Sequence, residues 1–169
     1  MTKAVPISVT VNDEEVTLLV EPRLSLIDML RHHLSLTGSH VGCEMGACGA
    51  CLVQLDGAVV HACLTLAVEV DGRAVKTIEG LSDSGAIADL QAAFHSRNAL
   101  QCGYCTPGVL MTAQELLHKG GVPSREVIRD ALSGNYCRCT GYEAIVDAIE
   151  TTARQRAGAD AVLTEARHD

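Results

Sequence analysis

The eight cysteines of this 169-residue chain constrain its fold more than any other feature. They form two sets of four, one in each half of the chain. The first set has the pattern C-x4-C-x2-C, with a fourth cysteine after eleven further residues: Cys43, Cys48, Cys51 and Cys63. The second set is a C-x2-C pair followed by a C-x-C pair: Cys102, Cys105, Cys137 and Cys139. We expect the chain to fold so that each set converges.

Composition favours metal binding over disulfides for these thiols. The N-terminal sequence lacks the apolar core of a signal peptide, and no stretch approaches the ~18 apolar residues of a membrane span, so we expect a cytoplasmic protein without direct membrane binding. Disulfides rarely persist in that reducing compartment. The formal net charge of −8, from 13 basic and 21 acidic residues, disfavours nucleic acid as a partner.

The first cysteine set has the spacing of plant-type 2Fe–2S ferredoxins. Its loop, GCEMGACGAC at residues 42–51, is rich in glycine and alanine. Backbone N–H groups approach sulfur closely only where side chains are absent, so a bare loop suits an anionic cluster. Structural zinc sites usually bring their cysteines in pairs, which fits this loop poorly. The CGAC segment also has the spacing of a redox dithiol, but the neighbouring Cys43 argues against that use.

The second cysteine set is ambiguous by spacing alone, because C-x2-C with a distant second pair is also a zinc pattern. Its first pair lies at the start of a helix expected near Pro107, where free N–H groups favour an anionic cluster. Two complete sets with no cysteine left over suggest an electron relay. Two alternatives stay open at this point: a free-standing ferredoxin and a two-zinc interaction module.

Hydrophobic periodicity predicts an α+β fold in two halves. Alternating apolar residues predict hairpins about Asn12–Asp13 and about Asp56–Gly57 in the first half. Residues 79–85 are small and polar, and we interpret them as a linker. The second half has helical periodicity, which predicts four helices, near residues 87–94, 107–117, 124–132 and 145–149. We expect two domains, at 1–80 and 81–157, and a mobile tail at 158–169.

Five motifs in order carry a resemblance to a known family: GCEMGACGACLVQLDG, ACLTLA, TIEGL, LQCGYCTPGVLM and NYCRCTGYEAIVDAI. Together they resemble the small iron–sulfur subunit of the molybdenum hydroxylases, the family of xanthine dehydrogenase, aldehyde oxidoreductase and carbon monoxide dehydrogenase. The resemblance implies a plant-ferredoxin-like β-grasp domain followed by an all-α four-helix domain. It also implies one 2Fe–2S cluster in each domain, held by the two cysteine sets.

The same resemblance implies cofactors and partners on other chains. These are a large subunit with molybdopterin, expected in its dinucleotide form, and a medium subunit with FAD, in a heterotrimer that can itself dimerise. Electrons would run from molybdenum through the second cluster and the first to FAD, and this chain would carry no catalytic residue. In such proteins the glutamine before the C-x2-C pair and the last cysteine of C-R-C contact the pterin, which gives Gln101 and Cys139 here.

Other residue types give weaker signals. The seven histidines show no ligand spacing, and we interpret them as surface or core residues. Three tyrosines flank the second cysteine set, either packing around a cluster or contacting a partner: Tyr104, Tyr136 and Tyr142. The chain contains no Ser–His–Asp grouping, phosphate-binding loop or dinucleotide-binding motif, so it supplies no substrate site that the sequence reveals.

Overall fold

A five-stranded mixed sheet forms the first half of the chain in the computed structural model, which describes residues 3–165, with side chains through residue 159. The sheet order is β2-β1-β5-β3-β4. The two strands β1 and β5 are parallel, whereas the other neighbours are antiparallel. The strands are β1 (Val5–Val11), β2 (Glu14–Val20), β3 (Leu52–Leu55), β4 (Ala58–His61) and β5 (Ala74–Lys76).

Both predicted hairpin turns are confirmed. Asn12 and Asp13 have φ angles of 51° and 71°, and Asp56 and Gly57 have φ angles of 49° and 86°. Two central residues with positive φ give a turn whose twist matches that of the flanking strands. A short helix, α1 (Leu26–Asp28), continues into a π-helical turn and packs its buried side chains into the core beneath the sheet.

Five α-helices form the second half, as far as residue 165. They are α2 (Ile78–Asp83), α3 (Ala88–Ser96), α4 (Thr106–His118), α5 (Arg125–Ala131) and α6 (Glu143–Glu165). The last four correspond to the four predicted helices, and the α+β fold class is confirmed. Across residues 3–165, no helix is both long enough and apolar enough to cross a membrane.

The prediction of a linker at residues 79–85 is wrong, because α2 occupies most of it. Ile78 and Leu81 of α2 are buried in the helical core, so one face of this largely polar helix is apolar. The predicted domain boundary between residues 80 and 81 falls inside α2 and stays a prediction. α6 runs to Glu165, through most of the segment expected to be a mobile tail, and residues 166–169 lie outside the described residues.

Strand β3 lies between two hydrophobic cores and contributes side chains to both, which connects the two halves of the chain. Leu52 packs into the helical core, whereas Val53 and Leu55 pack into the core of the sheet half. Successive side chains of a strand point to opposite faces, so one short strand serves both cores. The first cysteine loop leads directly into β3, which places that loop beside the helices.

Candidate metal centres

The first cysteine set converges where the loop at residues 42–51 meets the end of β4. The thiols of Cys43 and Cys48 are neighbours that influence each other's ionisation, and so are those of Cys51 and Cys63. The antiparallel pairing of β3 with β4 brings about the second contact, because Leu52 lies opposite His61 and Ala62 donates its N–H to the Cys51 carbonyl at 3.4 Å.

The loop is bare where the sulfur atoms need space. A Cβ atom on Gly42 would lie 2.8 Å from the sulfur of Cys48. Gly49 has a φ of 68°, and a Cβ there would lie 2.4 Å from the carbonyl oxygen of Gly134. The amide of Ala47 donates to the sulfur of Cys43 at 3.3 Å. Glycine and alanine therefore let main-chain donors reach a thiolate, as an anionic cluster requires.

The surroundings of Cys43 and Cys51 shift their pKa values in opposite directions. Backbone amides, that of Met45 foremost and then that of Cys48, lower the pKa of Cys43 to about 7. Burial raises the pKa of Cys51 to about 12. A buried thiol of this kind becomes a thiolate only when a cation takes the place of its proton. This set is therefore suited to metal ligation, with Cys43 more readily ionised than Cys48 or Cys51.

The second cysteine set converges between the start of α4 and the turn before α6. The sulfur atoms of Cys102 and Cys139 lie 3.5 Å apart, and the thiols of Cys105 and Cys137 are neighbours that influence each other's ionisation. A cavity of about 190 Å³ is lined by these four cysteines together with Gly42, Cys48, Ala50, Tyr104, Tyr136 and Arg138. The cavity therefore extends from the second set to the loop of the first.

Hydrogen bonds hold the Cys137 segment in place. The hydroxyl of Tyr142 accepts a hydrogen bond from the Cys137 amide at 2.8 Å and donates one to the Asn135 carbonyl at 2.9 Å. Tyr142 thus packs around the second set, one of the two roles expected of the flanking tyrosines. Burial raises the pKa of Cys137, but bonds from the hydroxyl and amide of Thr140 outweigh it and leave the pKa below its ordinary value. Burial raises the pKa of Cys105 to about 12.

The two residues expected to face a pterin are exposed at the second set. Gln101, Cys102 and Cys139 are all open to solvent, whereas Cys51 of the first set is buried. The second set therefore has an accessible side on which another molecule can approach. Contact of Gln101 and Cys139 with a pterin stays a prediction.

The thiols of both sets contact one another in pairs. Within residues 3–165, no three Cys, His, Asp or Glu side chains form a group that could hold one metal ion. A 2Fe–2S cluster distributes its four thiolates over two irons, so two pairs of thiols are the donor set it requires. The cysteines and the bare loop therefore fit such a cluster at each site.

Main-chain and side-chain contacts connect the two sites directly. The amide of Tyr136 donates to the carbonyl of Cys48 at 2.9 Å, and the side chain of Asn135 donates to the carbonyl of Gly49 at 3.3 Å. We call this contact of residues 48–49 with residues 135–136 the seam. The rings of His40 and Tyr104 also stack across it. Sequence reasoning missed His40 and Asn135, because the partners are 64 and 86 positions away along the chain and no local pattern links them.

Comparison with protein families gives two matches that divide the chain. Residues 9–81 match the 2Fe–2S iron–sulfur cluster binding domain, and residues 77–150 match the [2Fe–2S] binding domain. Each match contains one complete cysteine set. These matches decide the question that the spacing of the second set left open, in favour of iron–sulfur over zinc.

Several curated proteins are similar over most of this chain. The nicotine 6-hydroxylase small subunit of Paenarthrobacter nicotinovorans is 52% identical over 86% of this chain and 87% of its own length. The caffeine dehydrogenase subunit gamma of Pseudomonas sp. (strain CBB1) is 47% identical over 86% of this chain and 89% of its own length. Both relatives are named as subunits of larger enzymes.

Solved structures share the fold at similar identity. A chain of quinoline 2-oxidoreductase from Pseudomonas putida 86 has a TM-score of 0.86 and 46% identity, covering 92% of this chain and 96% of that one. Aldehyde oxidoreductase from Desulfovibrio gigas has a TM-score of 0.82 and 44% identity over 91% of this chain, which corresponds to only 17% of that longer polypeptide. The fold therefore occurs both as a separate chain and as part of a longer one.

Proposed function

The chain belongs to the small iron–sulfur subunits of the molybdenum hydroxylases, and on that basis we propose that it relays electrons between a molybdopterin site and FAD on partner subunits. A 2Fe–2S cluster supplies one-electron transfer. We assign the first cluster to Cys43, Cys48, Cys51 and Cys63, and the second to Cys102, Cys105, Cys137 and Cys139.

One observation carries this proposal: the two cysteine sets converge on either side of a single narrow seam. A carbonyl of one ligand, Cys48, accepts a hydrogen bond from Tyr136, whose neighbour along the chain is the ligand Cys137. The two sites are thus linked by one hydrogen bond and one peptide unit. Such proximity suits a relay, since electron transfer weakens steeply as the separation between centres grows.

The chain's own residues bind the clusters, orient them and limit access of water. Buried Cys51 directly precedes β3 and lies in the core of the sheet half, which shields this side of the first site from water. Exposed Gln101 and Cys139 give the second site its outer side, and we propose that both contact the pterin on the large subunit. The first cluster is then the one that passes electrons to the medium, FAD-binding subunit. We propose a heterotrimer of these three chains, located in the cytoplasm.

A direct test combines metal analysis with EPR spectroscopy of the anaerobically purified protein. We expect about four iron and four sulfide per chain and two distinct paramagnetic signals after reduction with dithionite. Cys63→Ser is expected to alter only the signal of the first cluster, and Cys139→Ser only that of the second. A colourless protein with about two zinc ions per chain would contradict the proposal.

Co-purification distinguishes a subunit from a free-standing ferredoxin. A tagged copy expressed in its own host is expected to bring two larger chains with it, one containing molybdenum and one containing flavin. Names of the relatives favour this outcome, since those proteins are described as subunits. Recovery of a two-cluster monomer without large partners would instead favour the diffusible ferredoxin.

A further inference from the structure

Two aromatic rings, one from each half of the chain, stack between the cysteine sets. The ring centroids of His40 and Tyr104 lie 4.5 Å apart, and the ring planes differ by 15°. His40 precedes Cys43 by three residues, and Tyr104 lies between Cys102 and Cys105. The stack therefore joins the two segments that carry the ligands.

Hydrogen bonds hold this stack on both sides. Nδ1 of His40 is 2.8 Å from the carbonyl oxygen of Tyr104, and because a carbonyl only accepts, Nδ1 must carry the hydrogen. The hydroxyl of Tyr104 donates to the carbonyl of Val41 at 2.7 Å. The amide of His40 donates to the carbonyl of Ala50 at 3.0 Å. The pair is thus hydrogen-bonded to Val41 before the first loop, to Ala50 near its end, and within itself across the two ligand segments.

Core packing does not account for this pair. Tyr104 is 48% exposed, and neither ring belongs to the two hydrophobic cores. The cavity between the sites is lined on the side of the first loop by Gly42, Cys48 and Ala50, and two of these three residues have little side chain with which to pack. Bare loops suit sulfur ligation but leave few contacts to hold them in place, and the stack with its hydrogen bonds supplies such contacts.

We propose that His40 and Tyr104 are positioning residues that set the distance and orientation between the two cluster sites. This inference rests on the proposed function, because it requires a cluster in each cysteine set. Loss of the stack, or of one of its hydrogen bonds, is expected to lower the equilibrium constant for holding the two ligand segments in contact by about 2- to 12-fold. The relay would then slow although both clusters remain bound.

Substitutions at His40 separate the ring from the donor. His40→Phe keeps an aromatic ring and loses the Nδ1 donor, His40→Asn keeps a donor and loses the ring, and His40→Ala loses both. His95→Ala is the matched control, because His95 is an exposed histidine on α3, a helix that packs against α6. Each variant is examined in the assembled enzyme with its partner subunits, after reduction with dithionite.

The measurement is the magnetic dipolar coupling between the two reduced clusters by pulsed EPR, with iron content determined on the same samples. This coupling varies with the inverse cube of the distance between the clusters. We expect one narrow coupling in wild type and His95→Ala, and a broad distribution in His40→Ala at unchanged iron content. His40→Phe and His40→Asn are expected to lie between them.

A narrow, unchanged coupling in His40→Ala would overturn the inference, even with a lowered melting temperature, because a purely structural role predicts that result. If His40→Ala loses iron, Tyr104→Phe decides in its place, since it removes only the hydrogen bond to Val41. A broadened coupling in Tyr104→Phe then supports the inference, and an unchanged coupling overturns it. Failure of the proposed function would be recognised separately, by the absence of two cluster signals in wild type.

Discussion

Replacing Gly108 by alanine should destabilise the protein, although alanine is the better helix former. Gly108 lies in the first turn of α4, and a Cβ there would lie 1.8 Å from the carbonyl oxygen of Gly49. An ordinary contact begins at 3.4 Å, so the helix and the first cysteine loop would have to separate by about 1.6 Å. The atoms of Gly49 and Ala50 that this Cβ would meet belong to the main chain, which cannot move aside as a flexible side chain can.

The magnitude follows from two opposing effects. Alanine in place of glycine in a helix gains about 1 kcal/mol, whereas overpacking costs about 1 to 3 kcal/mol, and a main-chain obstacle places this site at the upper end. The net loss is therefore about 2 kcal/mol. For a chain of this length that corresponds to a melting temperature lower by about 4 to 8 °C. Displacement of the Gly49 segment should also reduce the iron bound per chain.

Gly158→Ala is the matched control. Gly158 lies exposed in α6 with nothing within 4 Å of its added Cβ, so helix propensity acts alone. We expect its melting temperature to rise by about 2 to 4 °C. Both variants are compared with wild type by circular dichroism under identical anaerobic conditions, together with iron analysis. A Gly108→Ala protein that melts at or above the wild-type temperature with full iron content would refute the close approach to Gly49.

Two further substitutions test contacts in the helical half. Tyr142→Phe leaves the amide of Cys137 without its acceptor, so we expect a loss of about 1 to 3 kcal/mol and a weaker EPR signal of the second cluster relative to the first. Equal loss of both signals would argue against this local role. Arg125→Gln should lower the melting temperature more than Arg129→Gln, because Arg125 contacts three carboxylates on α6 and Arg129 one. The difference should shrink at high salt, and equal effects at low salt would contradict it.

Local chemistry explains why much of the fold could be predicted from the sequence. A two-residue turn such as Asp56–Gly57 has its own φ requirement, and Ser25 caps α1 through a bond to the Asp28 amide three residues away. The four main helices show their apolar faces over short windows. α2 was missed because its apolar positions, Ile78 and Leu81, are buried against residues distant in the chain. Short windows contain no information on such neighbours.

The cysteine spacing by itself indicated the chemistry of the first set, since ligand type and order along the chain are local properties, but it left the second set open between iron–sulfur and zinc. Only the tertiary structure decided how the two sites are joined. Gly49 lies against the carbonyl of Gly134, and Gly108 lies against the carbonyl of Gly49. The ring of His40 stacks on that of Tyr104. These contacts bring together residues more than 50 positions apart along the chain. A spacing pattern specifies which atoms can bind a cluster, whereas the distance between two clusters depends on packing between distant parts of the chain.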